Sequence, residues 1–280
     1  RINVDDNSMI SDQVFKEKQL KPLTAVDHEG GPVQRFGGEG FTELPAMRSA
    51  CNRGVIDLRA LYQQSAQELR QQGINIVFAP VVDVARTNSF LESRACTDSN
   101  EVVQTASVFI ESFGKNQIMP VIKHYPGIGP VSRDLHNEQA AVSLESRDTT
   151  VFSRILNKFP NIGVMTAHVR LEDMFEGLPC SQSQECLQPF DNYYPEAILF
   201  TDALDMESAQ VGQEEADSLA KISLRSIEAG NDILVFGKGV SPQELNQVLN
   251  DLVNEYQTNQ TFKKQVDATL KKLLRLKINQ

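Results

Sequence analysis

The sequence of 280 residues predicts a single α/β domain whose strands run parallel. Short apolar runs alternate with helical segments along the whole length, which is typical of a parallel sheet covered by helices. Each run is brief and mostly apolar, as expected of a strand that is buried on both faces. Since no linker, low-complexity segment or internal repeat interrupts this alternation, one domain over residues 1–280 is predicted.

Six apolar runs are the predicted strands, and they cover residues 23–26, 74–79, 118–122, 162–166, 197–201 and 232–236. Apolar residues at helical spacing predict helices over residues 54–70, 100–114, 218–229, 242–256 and 261–277. Some helix boundaries carry their own signals. Gly114 and Gly230 are typical C-terminal caps, and Ser241-Pro242-Gln243-Glu244 resembles a capping box with proline at the first helical position.

The composition limits the classes of partner. The net charge is −10, and clustered Lys and Arg are needed to bind phosphate backbones, so nucleic acid is not the expected partner. No apolar run approaches the roughly 20 residues that a membrane helix needs. No signal-peptide pattern opens the chain, so we expect the cytoplasm to be its compartment.

The four cysteines allow two interpretations. No CxxC pair is present, which argues against a structural zinc site. Cys180 and Cys186 are close enough in sequence for a disulfide, but free thiols at all four positions, in a reducing compartment, are the favoured prediction.

Polar, reactive residues follow five of the six predicted strands. They are Asp27, His28, Glu29, Asp83, Lys123, His124, His168, Asp202 and Asp205. In parallel α/β folds the functional groups gather at the C-terminal ends of the strands. We therefore predict one active site at this edge. These carboxylates also have structural alternatives. Asp27 and Asp83 could cap helices or turns, and Asp205 is expected to cap the next helix. Glu29 with the two glycines after it is interpreted as a tight turn.

The segment 123–136 carries the most informative pattern. Lys123 and His124 end an apolar run, two glycines and two prolines turn the chain, and Asp134-Leu135-His136 follows. In an extended segment, residues i and i+2 project to the same side, so Asp134 could hydrogen-bond His136. A carboxylate fixes the tautomer of a histidine and favours its protonated form, which suits a general acid/base near neutral pH.

Seven segments together resemble family 3 glycoside hydrolases, in the bacterial β-N-acetylglucosaminidase branch. Residues 27–36 (DHEGGPVQRF) resemble D-Q-E-G-G-R-V-Q-R, residues 123–129 resemble K-H-F-P-G-H-G, and residues 134–136 resemble D-S-H. The other matching segments, in family order, are residues 74–84, 165–169, 200–206 and 229–232. Each motif alone is weak, but the ordered set is specific.

The resemblance implies a (β/α)8-type, TIM-like barrel and a retaining exo-β-N-acetylglucosaminidase acting on peptidoglycan-derived muropeptides. Asp202 would be the nucleophile and His136, held by Asp134, the acid/base. The implied sugar-binding residues are Asp27, Arg35, Arg94, Lys123, His124 and His168. A monomer without metal or cofactor is expected. The chain has no Trp, which favours a pocket for one terminal sugar over a platform for a long polysaccharide.

Departures from the family pattern keep other functions open. His28 and Pro32 replace Gln and Arg, Ile128 replaces the second His of K-H-F-P-G-H-G, and Leu135 replaces the small residue of the dyad. A phosphorylase and a non-catalytic sugar-binding relative are therefore alternatives. A metal-dependent hydrolase is a third, against which the absence of an H-x-H pair argues.

The start of the chain also departs from the family. Only 26 residues precede Asp27, where family members have two strands and a helix. We expect either further residues upstream or a barrel that is incomplete, or closed differently, at its N-terminal side.

Overall fold

A computed structural model describes residues 22–143, 145–172, 177–211 and 216–278. Its elements in chain order are β1 (Ala25–Val26), β2 (His28–Gly30), β3 (Val33–Gln34), α1 (Met47–Ala50), α2 (Val55–Gln71), β4 (Ile76–Val77), α3 (Ser99–Lys115), β5 (Met119–Tyr125), β6 (Ala141–Val142), α4 (Ser146–Lys158), β7 (Gly163–Thr166), β8 (Arg170–Leu171), α5 (Gln184–Tyr193), β9 (Ile198–Ala203), α6 (Leu219–Glu228), β10 (Ile233–Val235), α7 (Pro242–Thr258) and α8 (Gln260–Ile278).

The main sheet has six parallel strands in the order β1-β4-β5-β7-β9-β10. Each strand therefore pairs with the next main strand along the chain. A doubly wound sheet reverses this order at a switch point, whereas a barrel keeps it. The described residues thus form six consecutive strands of a TIM-like barrel, and no pairing among them joins β10 back to β1.

Each face of the sheet has its own apolar cluster. One face contributes Ile76, Met119, Val121, Met165, Ile198 and Phe200 to a cluster that contains a single helical side chain, Leu273 of α8. The other face packs against the surrounding helices. There Tyr62 of α2 lies edge-on to Phe109 of α3, which stacks on Phe113. Burial on both faces explains why the strands are apolar without alternation.

The predicted helices are confirmed with boundaries that move by at most two residues, but three further helices, the short α1 and the longer α4 and α5, were not predicted. Helix α4 does carry the appropriate signals, since Val151, Phe152, Ile155 and Leu156 are buried at helical spacing and Asp148 completes a capping box. Helix α5 contains Pro189, which weakens its pattern.

The expectation of free thiols is wrong. Cys51 is joined to Cys96, and Cys180 to Cys186, so no described cysteine is free. The first bond spans 45 residues and could not be read from sequence, because only the fold brings the loop after α1 beside the segment before α3. Separately, no helix within the described ranges is long and apolar enough to cross a membrane.

Candidate active site

A buried ion-pair network lies at the C-terminal ends of β1 and β5. Lys123 Nζ lies 3.0 Å from Asp27 Oδ1 and 2.6 Å from Glu29 Oε1. Arg94 binds Glu29 with two parallel bonds, 2.9 Å from Nε to Oε2 and 2.7 Å from Nη2 to Oε1. The sequence motifs placed Asp27, Arg94 and Lys123 in one pocket. The structure adds Glu29, which bridges the two cations.

Charges in this network are fixed by their mutual contacts. Burial alone raises the pKa of Glu29, but Lys123 and Arg94 outweigh burial and lower this pKa to about 2. Burial alone lowers the pKa of Lys123, but Glu29 and Asp27 outweigh it and raise this pKa above its ordinary value. Both groups are therefore charged throughout the physiological range, which gives the pocket fixed donors and acceptors for sugar hydroxyls.

Asp83 is the residue that orients His124. Its carboxylate accepts hydrogen bonds from His124 N at 3.1 Å, His124 Nδ1 at 2.8 Å and Ile128 N at 2.7 Å. The Asp83 side chain is fully buried, so its function is to support other residues. Since His124 Nδ1 donates to Asp83, the His124 Nε2 atom is the one left for a ligand.

Asp202 ends β9 as a partly buried carboxylate, and its Oδ1 accepts a hydrogen bond from Ala203 N at 2.8 Å. Burial raises its pKa, but the nearby His124 and His168, the Ala203 N–H and Lys123 together lower this pKa below its ordinary value. The carboxylate is thus kept ionised, which is the state that a nucleophile needs.

His168 is buried and both of its ring nitrogens are occupied. Nε2 lies 3.0 Å from the Ala203 carbonyl oxygen, to which it donates, and Nδ1 lies 2.6 Å from Ser181 Oγ, from which it accepts. Burial lowers the pKa of His168, in keeping with a neutral ring. This geometry favours support of the Asp202 backbone, so a direct contact between His168 and sugar stays a prediction.

The predicted bond between Asp134 and His136 is present. Asp134 Oδ1 accepts from His136 Nδ1 at 2.7 Å and from His136 N at 3.0 Å. The local backbone is a turn and not extended, because the Asp134 side chain captures the N–H two residues on. With Nδ1 donating to the carboxylate, Nε2 is the free acid/base atom. The two side chains are 51% and 65% exposed.

The dyad loop is joined to the turn that follows the nucleophile strand. Glu207 N donates to His136 O at 3.3 Å, and Ser208 N donates to Leu135 O at 3.4 Å. Asp202 lies five residues before Glu207. The loop that carries the acid/base candidate therefore rests on the segment that carries the nucleophile candidate.

Three predicted residues lie apart from this arrangement. The His28 side chain faces α2, where Nε2 lies 3.0 Å from Ser65 Oγ, so His28 is not in the pocket although it follows a strand. Asp205 does not cap a helix, since its Oδ1 accepts from Gly237 N in the loop after β10. Arg35 is exposed, but its N–H donates to Asp27 O at 3.2 Å, so its backbone is close to the pocket.

The sequence did not reveal some of the residues that hold the site residues in place. Glu29 was interpreted as part of a tight turn, although its place in the quoted motif was a signal. Ser181 and Asn231 were not considered. Asn231 Nδ2 donates to Ser181 O at 2.8 Å, and Thr166 Oγ1 donates to Asn231 Oδ1 at 2.7 Å, which links β7 to the segments that precede α5 and β10. No group of side chains suited to a metal ion occurs among the described residues.

Comparison with known proteins gives one consistent result. The model of the glycosyl hydrolase family 3 N-terminal domain matches residues 3–276. A β-hexosaminidase from Tolumonas auensis is 32% identical over 248 residues, which is 83% of this chain and 72% of that protein. A β-hexosaminidase from Methylococcus capsulatus is 33% identical over 258 residues, covering 86% and 74%.

Solved structures agree on the fold. A β-N-acetylhexosaminidase from Beutenbergia cavernae has a TM-score of 0.85 at 23% identity, covering 96% of this chain and 83% of that one. LpqI from M. tuberculosis has a TM-score of 0.79 at 26% identity, covering 96% and 82%.

Proposed function

Because this chain belongs to glycosyl hydrolase family 3, we propose that it is a β-hexosaminidase, specifically a retaining exo-β-N-acetylglucosaminidase. The observation that supports this most strongly is that the loop of the His136–Asp134 dyad is hydrogen-bonded to the turn after β9, the strand that carries the ionised Asp202. The relatives named β-hexosaminidase support the choice of an N-acetylhexosamine as the sugar.

The first chemical step is the formation of a glycosyl–enzyme ester. An Asp202 carboxylate oxygen attacks the anomeric carbon as the bond to the leaving oxygen breaks, and His136 Nε2 gives its proton to that oxygen. Asp134 stabilises the imidazolium that exists before this transfer, since it accepts from Nδ1.

The second step releases the sugar. Water attacks the same anomeric carbon and gives its proton to His136 Nε2, and the ester bond to Asp202 breaks, so the carboxylate returns to its anionic state. Two displacements at one carbon retain the anomeric configuration.

The buried ion-pair network would hold the sugar. Arg94 and Lys123 lie close enough to Asp202 to interact with its charge, and Asp27 pairs with Lys123. Hydroxyl groups need such oriented donors and acceptors. We propose that the substrate is a terminal N-acetylglucosamine of a peptidoglycan-derived fragment, and that residues 1–280 act as one monomeric barrel domain.

The two disulfides bear on the compartment. Disulfides form and persist in oxidising environments, whereas cytosolic thiols are kept reduced. We therefore propose an oxidising compartment in place of the cytoplasm expected from the sequence, because the free thiols expected in a reducing compartment are replaced by two disulfides.

The test uses an aryl β-N-acetylglucosaminide. Asp202→Asn and His136→Ala should each abolish most turnover while the fold is retained, whereas Asp205→Asn, three residues after the nucleophile, should retain most activity. A fluorinated substrate analogue should leave a glycosyl adduct on Asp202, detected by peptide mass spectrometry. Full activity of Asp202→Asn would contradict the mechanism.

Phosphorolysis is the second candidate. A histidine acid/base carries no negative charge that would repel phosphate, in contrast to a second carboxylate. Turnover in the presence of inorganic phosphate should give N-acetylglucosamine if the enzyme is a hydrolase and the sugar 1-phosphate if it is a phosphorylase. Binding of N-acetylglucosamine without either product would indicate a non-catalytic relative.

A further inference from the structure

Two residues that depart from the family motifs meet in one apolar cluster. Ile128 and Leu135 are both only 2% exposed. They share this cluster, here called the dyad-loop cluster, with residues that include Val81, Val131, Ala167, Val169 and Met206. In the family motifs the corresponding positions are a histidine and a small polar residue, so this chain has apolar side chains at both.

The cluster contains side chains from both catalytic segments. Leu135 lies between Asp134 and His136, whose side chains are 51% and 65% exposed. Met206 lies between Asp202 and the turn on which the loop rests. The Leu135 side chain therefore points into the protein where its two neighbours point out, and it packs in the same cluster as Met206.

The start of the loop is anchored by the same cluster and by backbone hydrogen bonds. Ile128 N donates to Asp83 Oδ1 at 2.7 Å, and Arg86 N donates to Gly129 O at 3.3 Å. A side chain at Gly129 would place its Cβ 1.9 Å from Val84 O, so only glycine allows this close approach. The loop is thus held at Ile128, at Gly129 and at Leu135.

We propose that Ile128 and Leu135 are positioning residues that hold the loop of the His136–Asp134 dyad against the segment after Asp202, in the position from which His136 reaches the leaving oxygen. They do not touch the reacting atoms. This inference rests on the proposed function, because it assumes that His136 is the acid/base. Its physical basis is that general acid catalysis needs the donor atom within hydrogen-bond reach of the leaving oxygen, and that an exposed dyad has few contacts of its own to fix it there.

The distinguishing measurement is the dependence of kcat/KM on the leaving group. A 2,4-dinitrophenyl leaving group departs without a proton, whereas a phenyl leaving group needs the acid. A displaced dyad should therefore lower kcat/KM for the phenyl β-N-acetylglucosaminide on the order of 100-fold more than for the dinitrophenyl compound. A general loss of folded protein would lower both equally.

The variants are Leu135→Ser, Leu135→Met and a matched control. Leu135→Ser removes the apolar anchor and should show the selective loss with phenyl substrate. Leu135→Met keeps the volume and the apolar character of the side chain, so its ratio of kcat/KM between the two leaving groups should stay close to that of the natural protein. Leu156→Ser makes the same change in α4, at a residue 1% exposed in a different cluster, and should lower the melting temperature without changing the leaving-group ratio.

Two milder variants keep the test decisive if Leu135→Ser does not fold. Leu135→Val and Ile128→Val each remove one methylene group and should shift the ratio in the same direction by a smaller factor. An unchanged ratio in these variants, or an equal shift in Leu156→Ser, overturns the proposal. His136→Ala is measured beside them. If His136→Ala lowers kcat/KM equally for both leaving groups, His136 is not the acid/base and the proposed mechanism is wrong. If His136→Ala shows the selective loss but the Leu135 variants do not, only the positioning role of Leu135 and Ile128 is wrong.

Discussion

The buried ion-pair network and the exposed dyad are held in place by different forces. Glu29, Arg94 and Lys123 are fixed by short charged contacts from which water is largely excluded. Asp134 and His136 are exposed, and their loop is fixed by backbone hydrogen bonds and by apolar side chains beneath it. The ion-pair network, the proposed sugar-binding part of the site, is therefore coupled to global stability, whereas the dyad, the proposed acid/base, is coupled to local packing.

Removal of Glu29 should have the largest effect on stability. Glu29→Gln leaves Lys123 and Arg94 buried without their shared counter-charge, and breaking a buried pair in this way costs about 3–5 kcal/mol of unfolding free energy. Glu138→Gln is the control, because the Arg133–Glu138 pair is exposed and such pairs contribute about 0–1 kcal/mol. Urea unfolding measures both. Equal losses of unfolding free energy in the two variants would show that the buried network contributes no more to stability than an exposed ion pair.

The disulfide that closes the longer loop should contribute more to the unfolding free energy. The Cys51–Cys96 bond closes a 45-residue separation and holds the segment that carries Arg94, whereas Cys180–Cys186 closes only six. The chain-entropy model gives about 4 kcal/mol for the first and about 2 kcal/mol for the second. Thermal and urea unfolding of the paired Cys→Ser variants tests this order. A larger loss from Cys180→Ser/Cys186→Ser would contradict it.

His28 should make stability depend on pH. Burial lowers the pKa of His28 from 6.5 to about 4, although Glu68 acts in the opposite direction. The unfolded chain therefore binds a proton before the folded protein does. The stabilisation is complete above about pH 6.5 and is lost as the pH falls toward 4. The total change is about 3 kcal/mol.

His28→Gln, which restores the residue of the family motif, is the variant that tests this. Its unfolding free energy should change less than that of the natural protein between pH 7 and 4. If the unfolding free energy falls equally in both proteins between pH 7 and 4, titration of groups other than His28 causes the fall.

Asp134→Asn should have the smallest effect on stability and a large effect on turnover. The Asp134–His136 pair is exposed, so its loss should change the unfolding free energy by less than about 1 kcal/mol. The neutral side chain no longer favours the imidazolium, so kcat should fall on the order of 100-fold. Steady-state kinetics and urea unfolding of one variant separate the two effects. A stability loss comparable with that of Glu29→Gln would remove the distinction between the regions.

Much of the fold and the site follows from local pattern. The six parallel strands were predicted because each is a short apolar run, and the bond between Asp134 and His136 because the two are separated by one residue. The bridging role of Glu29 and the contact of Ser181 were not predicted, because they depend on partners 94 and 13 residues away, Lys123 and His168. His28 was grouped with the pocket because position at a strand end does not reveal which side a side chain faces.

Local periodicity was enough to predict six parallel strands, and motifs that are continuous in the chain were enough to predict the family, with its barrel, and the candidate nucleophile and dyad. The pairing of the cysteines, the bridge from Lys123 to Arg94 through Glu29, and the shared apolar cluster of Ile128 and Leu135 became known only from the folded structure. These features bring together residues that are far apart along the chain, and the contacts that define them exist only after the strands are in register.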